Sequence, residues 1–259
     1  MKFQIEHARF AHKGRVDEGS DLFKDLTVSI SHGDCVAILG PEGSGKTTML
    51  HLLAGLLAPD AGILLIDGIN PHADPASGVT LHRRMGVTFQ FPDEQFLRES
   101  VAEEFREVLT LRNVPSSEIV DRMEVSLASV GLNPKSFPER SPFTLSLGES
   151  RRVALALILA SRPDAVIMDE PTAGLDASGI STTASALSKL RAAGVTIVMA
   201  THDIGFAAEN TNRFVFLDRG TIVADGRTEA ILSNSSLLEQ YGFYVTQDQR
   251  ERQRSLRIQ

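Results

Sequence analysis

The sequence predicts an α/β fold, a parallel sheet covered by helices, and three observations carry the prediction. Apolar runs at 35–39, 165–168 and 195–200 read as strands buried on both faces. Helical stretches separate them, and such alternation builds parallel sheets. A glycine-rich run, Gly40-Pro41-Glu42-Gly43-Ser44-Gly45-Lys46-Thr47-Thr48, joins the first of these strands to a helix. It fits the phosphate-binding loop pattern of Gly, four residues and Gly-Lys-Thr.

In chain order, residues 2–10 and 26–30 alternate as strands, and a polar turn at His32-Gly33-Asp34 leads into the strand at 35–39. The helix after the loop spans 47–57. Pro59-Asp60-Ala61-Gly62 is a turn, 63–66 a strand closing at Asp67-Gly68, 71–78 a loop, and 85–89 a short strand. From about 94 to 132 the pattern is helical, with Val101, Phe105, Val108 and Leu109 at helical spacing, until Pro134, Pro138 and Pro142 interrupt it. A helix at 148–160 carries Arg151 and Arg152 in its first turns, and another at 180–192 separates the last two buried strands. Runs at 214–217 and 222–224, joined by Asp218-Arg219-Gly220-Thr221, read as a terminal hairpin. The tail from 247, with Arg250, Arg252, Arg254 and Arg257, reads as a solvated end; contact with a partner or acidic lipid is the alternative.

Composition narrows the function. The 259 residues suffice for one large domain, or a domain with a smaller lobe, and 42% hydrophobic content supplies a core. The net charge of -7 argues against a nucleic acid partner held by phosphate neutralisation. The single Cys35 permits no internal disulfide and fits a cytosolic setting; within a core strand it reads as a small buried hydrophobe. The opening Met1-Lys2-Phe3-Gln4-Ile5-Glu6-His7 is no signal peptide, and no apolar run reaches spanning length, so work at a membrane requires another subunit as anchor.

The loop implies concrete chemistry. Glycines let backbone N–H groups curl around phosphates, Lys46 reaches the β- and γ-phosphates, and the Thr47 hydroxyl meets Mg²⁺. The following helix turns its N-terminus toward the same anion. Glu42 is discordant there, an acid beside phosphates. Asp169-Glu170 ends the strand at 165–168: Asp169 would hold Mg²⁺ through water, and Glu170 would orient or deprotonate an attacking water. Thr201-His202-Asp203 ends a strand expected beside the phosphate-loop strand, so the His202 imidazole can donate to a γ-phosphate. Gln90, at the end of a strand, suits a Mg²⁺ or water ligand that withdraws, or simply a capping amide. In Leu145-Ser146-Leu147-Gly148-Glu149, Ser146 is an N-cap with Glu149 completing a capping box; alternatively this helix N-terminus faces the phosphates of another chain.

In this order, the pieces resemble the ATP-binding subunits of ABC transporters, from about residue 3 to 240. The resemblance covers residues 40–48 (Walker A), Gln90 (Q-loop), 145–149 (signature), 165–170 (Walker B), Ala173-Gly174-Leu175-Asp176 (D-loop) and His202 (switch histidine). It implies a P-loop NTPase, a RecA-like parallel sheet with an N-terminal antiparallel β subdomain and an inserted helical subdomain near 94–160. The ATP-binding domain would span 1–243 and a polar tail 244–259. Catalysis falls to Glu170 and His202, Mg²⁺ to Thr47, Gln90 and Asp169, and ATP to residues 40–48, Gln90, His12, Ser146 and Gly148. His12 takes the place of the adenine-stacking aromatic. A narrower resemblance, in Phe89-Gln90-Phe91-Pro92-Asp93-Glu94-Gln95-Phe96 and Pro171-Thr172-Ala173-Gly174-Leu175-Asp176, is to the ATPases of energy-coupling factor transporters, which import vitamins or cobalt and nickel ions. It implies a second ATPase chain, identical or related, paired head to tail at the cytoplasmic face of the membrane. It also implies a transmembrane coupling subunit and a substrate-capturing membrane protein. The alternatives are a non-transport ABC-type ATPase and a regulatory subunit with weak hydrolysis. The family's signature is usually Leu-Ser-Gly-Gly-Gln. Here Leu147 replaces a glycine where phosphate approaches, and Glu149 adds an acid, so the site this chain completes for its partner is expected to be weakened.

Overall fold

A computed structural model describes residues 1–12, 21–89 and 95–241. Among these residues two sheets form. β1 (Phe3–Phe10), β2 (Phe23–Ile30) and β4 (Ala61–Ile66) make an antiparallel sheet in the order β2-β1-β4, with Phe3 opposite both Ile30 and Ile66. β3 (Cys35–Leu39), β5 (Met85–Thr88), β6 (Ala165–Asp169), β7 (Thr196–Ala200), β8 (Arg213–Asp218) and β9 (Thr221–Arg227) make the larger sheet, in the order β5-β6-β7-β3-β8-β9. The first five in that order run parallel, and β9 pairs antiparallel with β8.

Every residue of β3, β6 and β7 is buried, as continuous apolar runs require. Val36 and Ile38 face a core shared with the antiparallel sheet and with α1 (Lys46–Leu53), through Met49, Leu50, Leu52 and Leu53. Cys35, Ala37 and Leu39 face the opposite core. That core is filled by α3 (Val101–Leu111), α4 (Ser116–Ser129), α5 (Leu147–Ser161) and α6 (Ala177–Ala192). Phe105 and Phe216 are fully buried there, each worth about 1.5–3 kcal/mol of hydrophobic stabilisation. Ser100 caps α3, and the buried Glu104 accepts from the amides of Leu97 and Arg98, tying that loop to the helix.

Four features differ from expectation. α1 ends at Leu53, not at 57, because Gly55 adopts φ 68° and closes the helix in the left-handed region. The segment expected as a loop at 71–78 instead enters α2 (Pro75–His82): Asp74 caps it by accepting from the Ser77 amide, and Pro75 occupies a first-turn position. The helical stretch at 94–132 is two helices, broken where Asn113 turns to φ 60° ahead of Pro115. The short helices α7 (Ile204–Asn210), α8 (Thr228–Leu232) and α9 (Ser235–Gln240) were not expected. Among the described residues no helix is long and apolar enough to cross a membrane. Gln90 and the arginine-containing tail lie outside the described residues.

Candidate functional site

Three neighbouring strands deliver the site. β7 lies between β3 and β6, and its Ala200 pairs with Ile38 on one side and Asp169 on the other. The segments leaving their carboxyl ends converge, as ligand sites do on open α/β sheets.

The loop after β3 is tightly specified. Gly40 has φ 148°, and a Cβ there would stand 2.0 Å from the Leu217 carbonyl oxygen and 3.0 Å from Ser44 Oγ. Pro41 and Ser44 support the loop: Ser44 is buried, and the carbonyls of Gly40 and Pro41 each accept from Lys46 Nζ at 2.9 Å. The Lys46 ammonium is thus centred in the loop. Burial pushes its pKa down, while the fields of Glu170, Asp169 and Glu42 oppose that shift. Glu42 and Thr48 belong to the same cleft wall. Gly45 takes φ 106° at the cap of α1, whose first residue is Lys46, not Thr47.

The carboxylates approach from β6. Thr47 Oγ1 donates to Asp169 Oδ2 at 2.7 Å, and burial pushes the Asp169 carboxyl up against the lowering effect of that bond. A hydroxyl and a carboxylate converging at a helix N-terminus are the hard oxygen donors that Mg²⁺ takes beside substrate phosphates, so this pair fits the ion. Glu170, the first residue past β6, stands at φ 47°, a left-handed conformation rare for a non-glycine residue. Its N–H donates to the Ala200 carbonyl at 2.9 Å. Its carboxylate lies between two residues that follow β7: Thr201 Oγ1 donates to Oε2 at 3.1 Å, and His202 Nδ1 stands 3.0 Å from Oε1. Thr201 is fully buried, and its hydroxyl also accepts from the Asp203 amide at 3.1 Å.

His12 reaches the same cleft from the end of β1, with Nε2 3.2 Å from Thr48 Oγ1 and its ring edge-on to Phe10. Gly40, Gly43, Gly45, Lys46, Thr47, Asp169, Glu170, His202 and His12 are among the residues lining a cleft of about 590 Å³. That volume suits a ligand of nucleotide size.

Ser146 and Gly148 stand apart from this cleft, at the start of α5. The capping box is complete: the Glu149 amide donates to Ser146 Oγ at 3.3 Å, and Glu149 Oε2 accepts from the Ser146 amide at 2.9 Å and hydroxyl at 3.0 Å. Arg140 donates to Glu149 Oε1 at 2.7 Å. Arg140 first, then the Ser146 amide, hold the Glu149 carboxyl down at about 2. The acid at the signature is therefore paired with a cation inside its own chain. Leu147 lies over Gly174, where a Cβ would come within 2.7 Å of Leu147 Cδ2. Sequence reasoning missed Arg140 and Thr201; Thr201 was visible only as the neighbour of His202.

A phosphate-cradling loop, a threonine–aspartate pair and a glutamate set between threonine and histidine, all at the carboxyl ends of three neighbouring strands, define a P-loop nucleoside triphosphatase. Residues 23–173 match the ABC transporter family, and the chain belongs to it. It is 31% identical over 248 residues to the energy-coupling factor transporter ATP-binding protein EcfA2 of Clostridium perfringens, covering 95% of this chain and 87% of the relative. It is 36% identical over 224 residues to the cobalt import ATP-binding protein CbiO of Rhodobacter capsulatus, covering 86% and 79%. Among solved structures, the dimeric ATP-binding cassette MJ0796 bound to ADP and Pi superposes with a TM-score of 0.79 at 28% identity, covering 87% of this chain and 98% of that one. The cbiO1 protein of Clostridium perfringens, part of the ABC transporter complex cbiONQ, gives 0.76 at 27%, covering 92% and 93%. The chain is an ATP-binding subunit with ATPase activity coupled to transport.

Proposed function

We propose that this chain powers an uptake transporter of the energy-coupling factor type, for vitamins or for cobalt or nickel ions, as a peripheral subunit at the cytoplasmic face of the membrane. The names of the EcfA2 and CbiO relatives support that reading. The ATP-binding domain is residues 1–243, with the helical subdomain near 94–160 inserted in it. Two such chains close head to tail over two ATP molecules, and Ser146 and Gly148 of each complete the other's site. The integral partners are a coupling subunit and a substrate-capturing protein.

The observation that carries the catalytic reading is the seating of Glu170 between Thr201 and His202 beside Lys46. Lys46 and the loop amides hold the β- and γ-phosphates, and His12 flanks the base. Glu170 takes a proton from water as the water oxygen attacks the γ-phosphorus and the bond to the β-phosphate oxygen breaks. His202 donates to the γ-phosphate. Thr47 and Asp169, with Gln90, would hold Mg²⁺, which neutralises phosphate charge when bound. Glu170→Gln keeps the shape and removes the base: turnover in the assembled transporter should fall at least about 100-fold while ATP affinity stays within twofold. Unchanged turnover would overturn the assignment.

A further inference from the structure

The Glu170 backbone is held from two sides. Its N–H is bound by the Ala200 carbonyl of β7, and its carbonyl oxygen accepts from Arg151 Nη1 at 2.7 Å as well as from the Ala173 amide at 3.2 Å. Arg151 is a half-buried residue of α5, five positions after the capping Ser146. An unusual backbone conformation such as φ 47° persists only where its surroundings over-determine it, and a guanidinium bond to the carbonyl is one such constraint. We infer that Arg151 is a positioning residue for hydrolysis. It fixes the peptide that aims the Glu170 carboxylate, and it joins that peptide to the helix whose N-terminus carries Ser146. A shift of α5, as when Ser146 meets a phosphate, thereby reaches the glutamate of the same chain's own site. This inference rests on the proposed role of Glu170.

The test uses the full chain in its assembled transporter, with Mg²⁺ and ATP as the probe, in the variants Arg151→Met, Glu170→Gln and the double variant. Misplacing a reacting group by about 1 Å costs up to about 100-fold in rate, so Arg151→Met should lower kcat at least about tenfold. The ATP dissociation constant should stay within twofold. Amide hydrogen exchange at Glu170 and Ala173 should accelerate. Because Arg151 acts through Glu170, adding Arg151→Met to Glu170→Gln should cost no further turnover. Arg151→Lys, which keeps the charge and the helix and loses the planar fork, should restore part of kcat and carries the same test if the methionine variant does not fold. Wild-type kcat in Arg151→Met and Arg151→Lys beside an inactive Glu170→Gln would overturn the role of Arg151 alone, as would a full additional loss in the double variant. Turnover surviving in Glu170→Gln would overturn the reading of Glu170, and the Arg151 inference with it.

Discussion

Replacing Glu149 by glutamine should lower stability in a pH-dependent way. The carboxyl sits at about 2 against an ordinary 4.5, chiefly through Arg140. Taken at face value, a fall of about 2.5 corresponds to roughly 3.4 kcal/mol. The pair faces solvent, however, with the Arg140 and Glu149 side chains 37% and 22% exposed, and screening brings the expected contribution to about 1 kcal/mol. The folded pKa is depressed, so this contribution is complete above pH 4.5 and disappears as pH falls toward 2. For a domain of this size about 1 kcal/mol corresponds to roughly 2–4 °C. Circular dichroism melts of the wild type and Glu149→Gln should therefore differ by about that much at pH 7, and the gap should close on acidification toward pH 2. Equal melting at pH 7, or a gap persisting undiminished at pH 2, would refute the pairing.

The same substitution should help ATP-driven pairing. A carboxylate beside Ser146 repels an approaching phosphate, whereas the neutral amide does not and leaves the Arg140 cation next to that helix end. In a Glu170→Gln background, light scattering with Mg²⁺-ATP should show dimerisation strengthened about fivefold; unchanged or weaker pairing would count against it. Gly40→Ala would drive a methyl onto the Leu217 carbonyl, so urea unfolding should report a loss of roughly 3 kcal/mol or more. Lys46→Met should reduce ATP affinity at least about tenfold, measured by calorimetry, while stability changes by less than about 1 kcal/mol. Relief of the buried ammonium offsets the two carbonyl bonds it loses.

The elements that carry the site were legible for a physical reason. β3, β6 and β7 are buried on both faces, so each is a continuous apolar run, and residues at or just past their ends line the cleft. The loop at 40–48 was legible because phosphate binding needs glycine at fixed spacing. α2 was hidden by its own cap: Asp74 and Pro75 read as loop residues until the Ser77 amide is seen to bond the aspartate. α7, α8 and α9 are too short for a helical period to show. Thr201 and Arg151 reach Glu170 from 31 and 19 residues away, the first through the pairing of β7 with β6 and the second from α5. The capping box at Ser146 and Glu149 is a local pattern and was readable, whereas the Arg140 bond that neutralises it was not.

The central claim is that this chain supplies ATP hydrolysis to a membrane transporter. The most direct measurement is ATPase activity of whatever is recovered through this chain from detergent-solubilised membranes, with wild-type and Glu170→Gln chains side by side. The account predicts that integral membrane proteins accompany both chains and that only the wild-type assembly hydrolyses ATP. Recovery of the chain without membrane partners, or equal hydrolysis by the two assemblies, would contradict it.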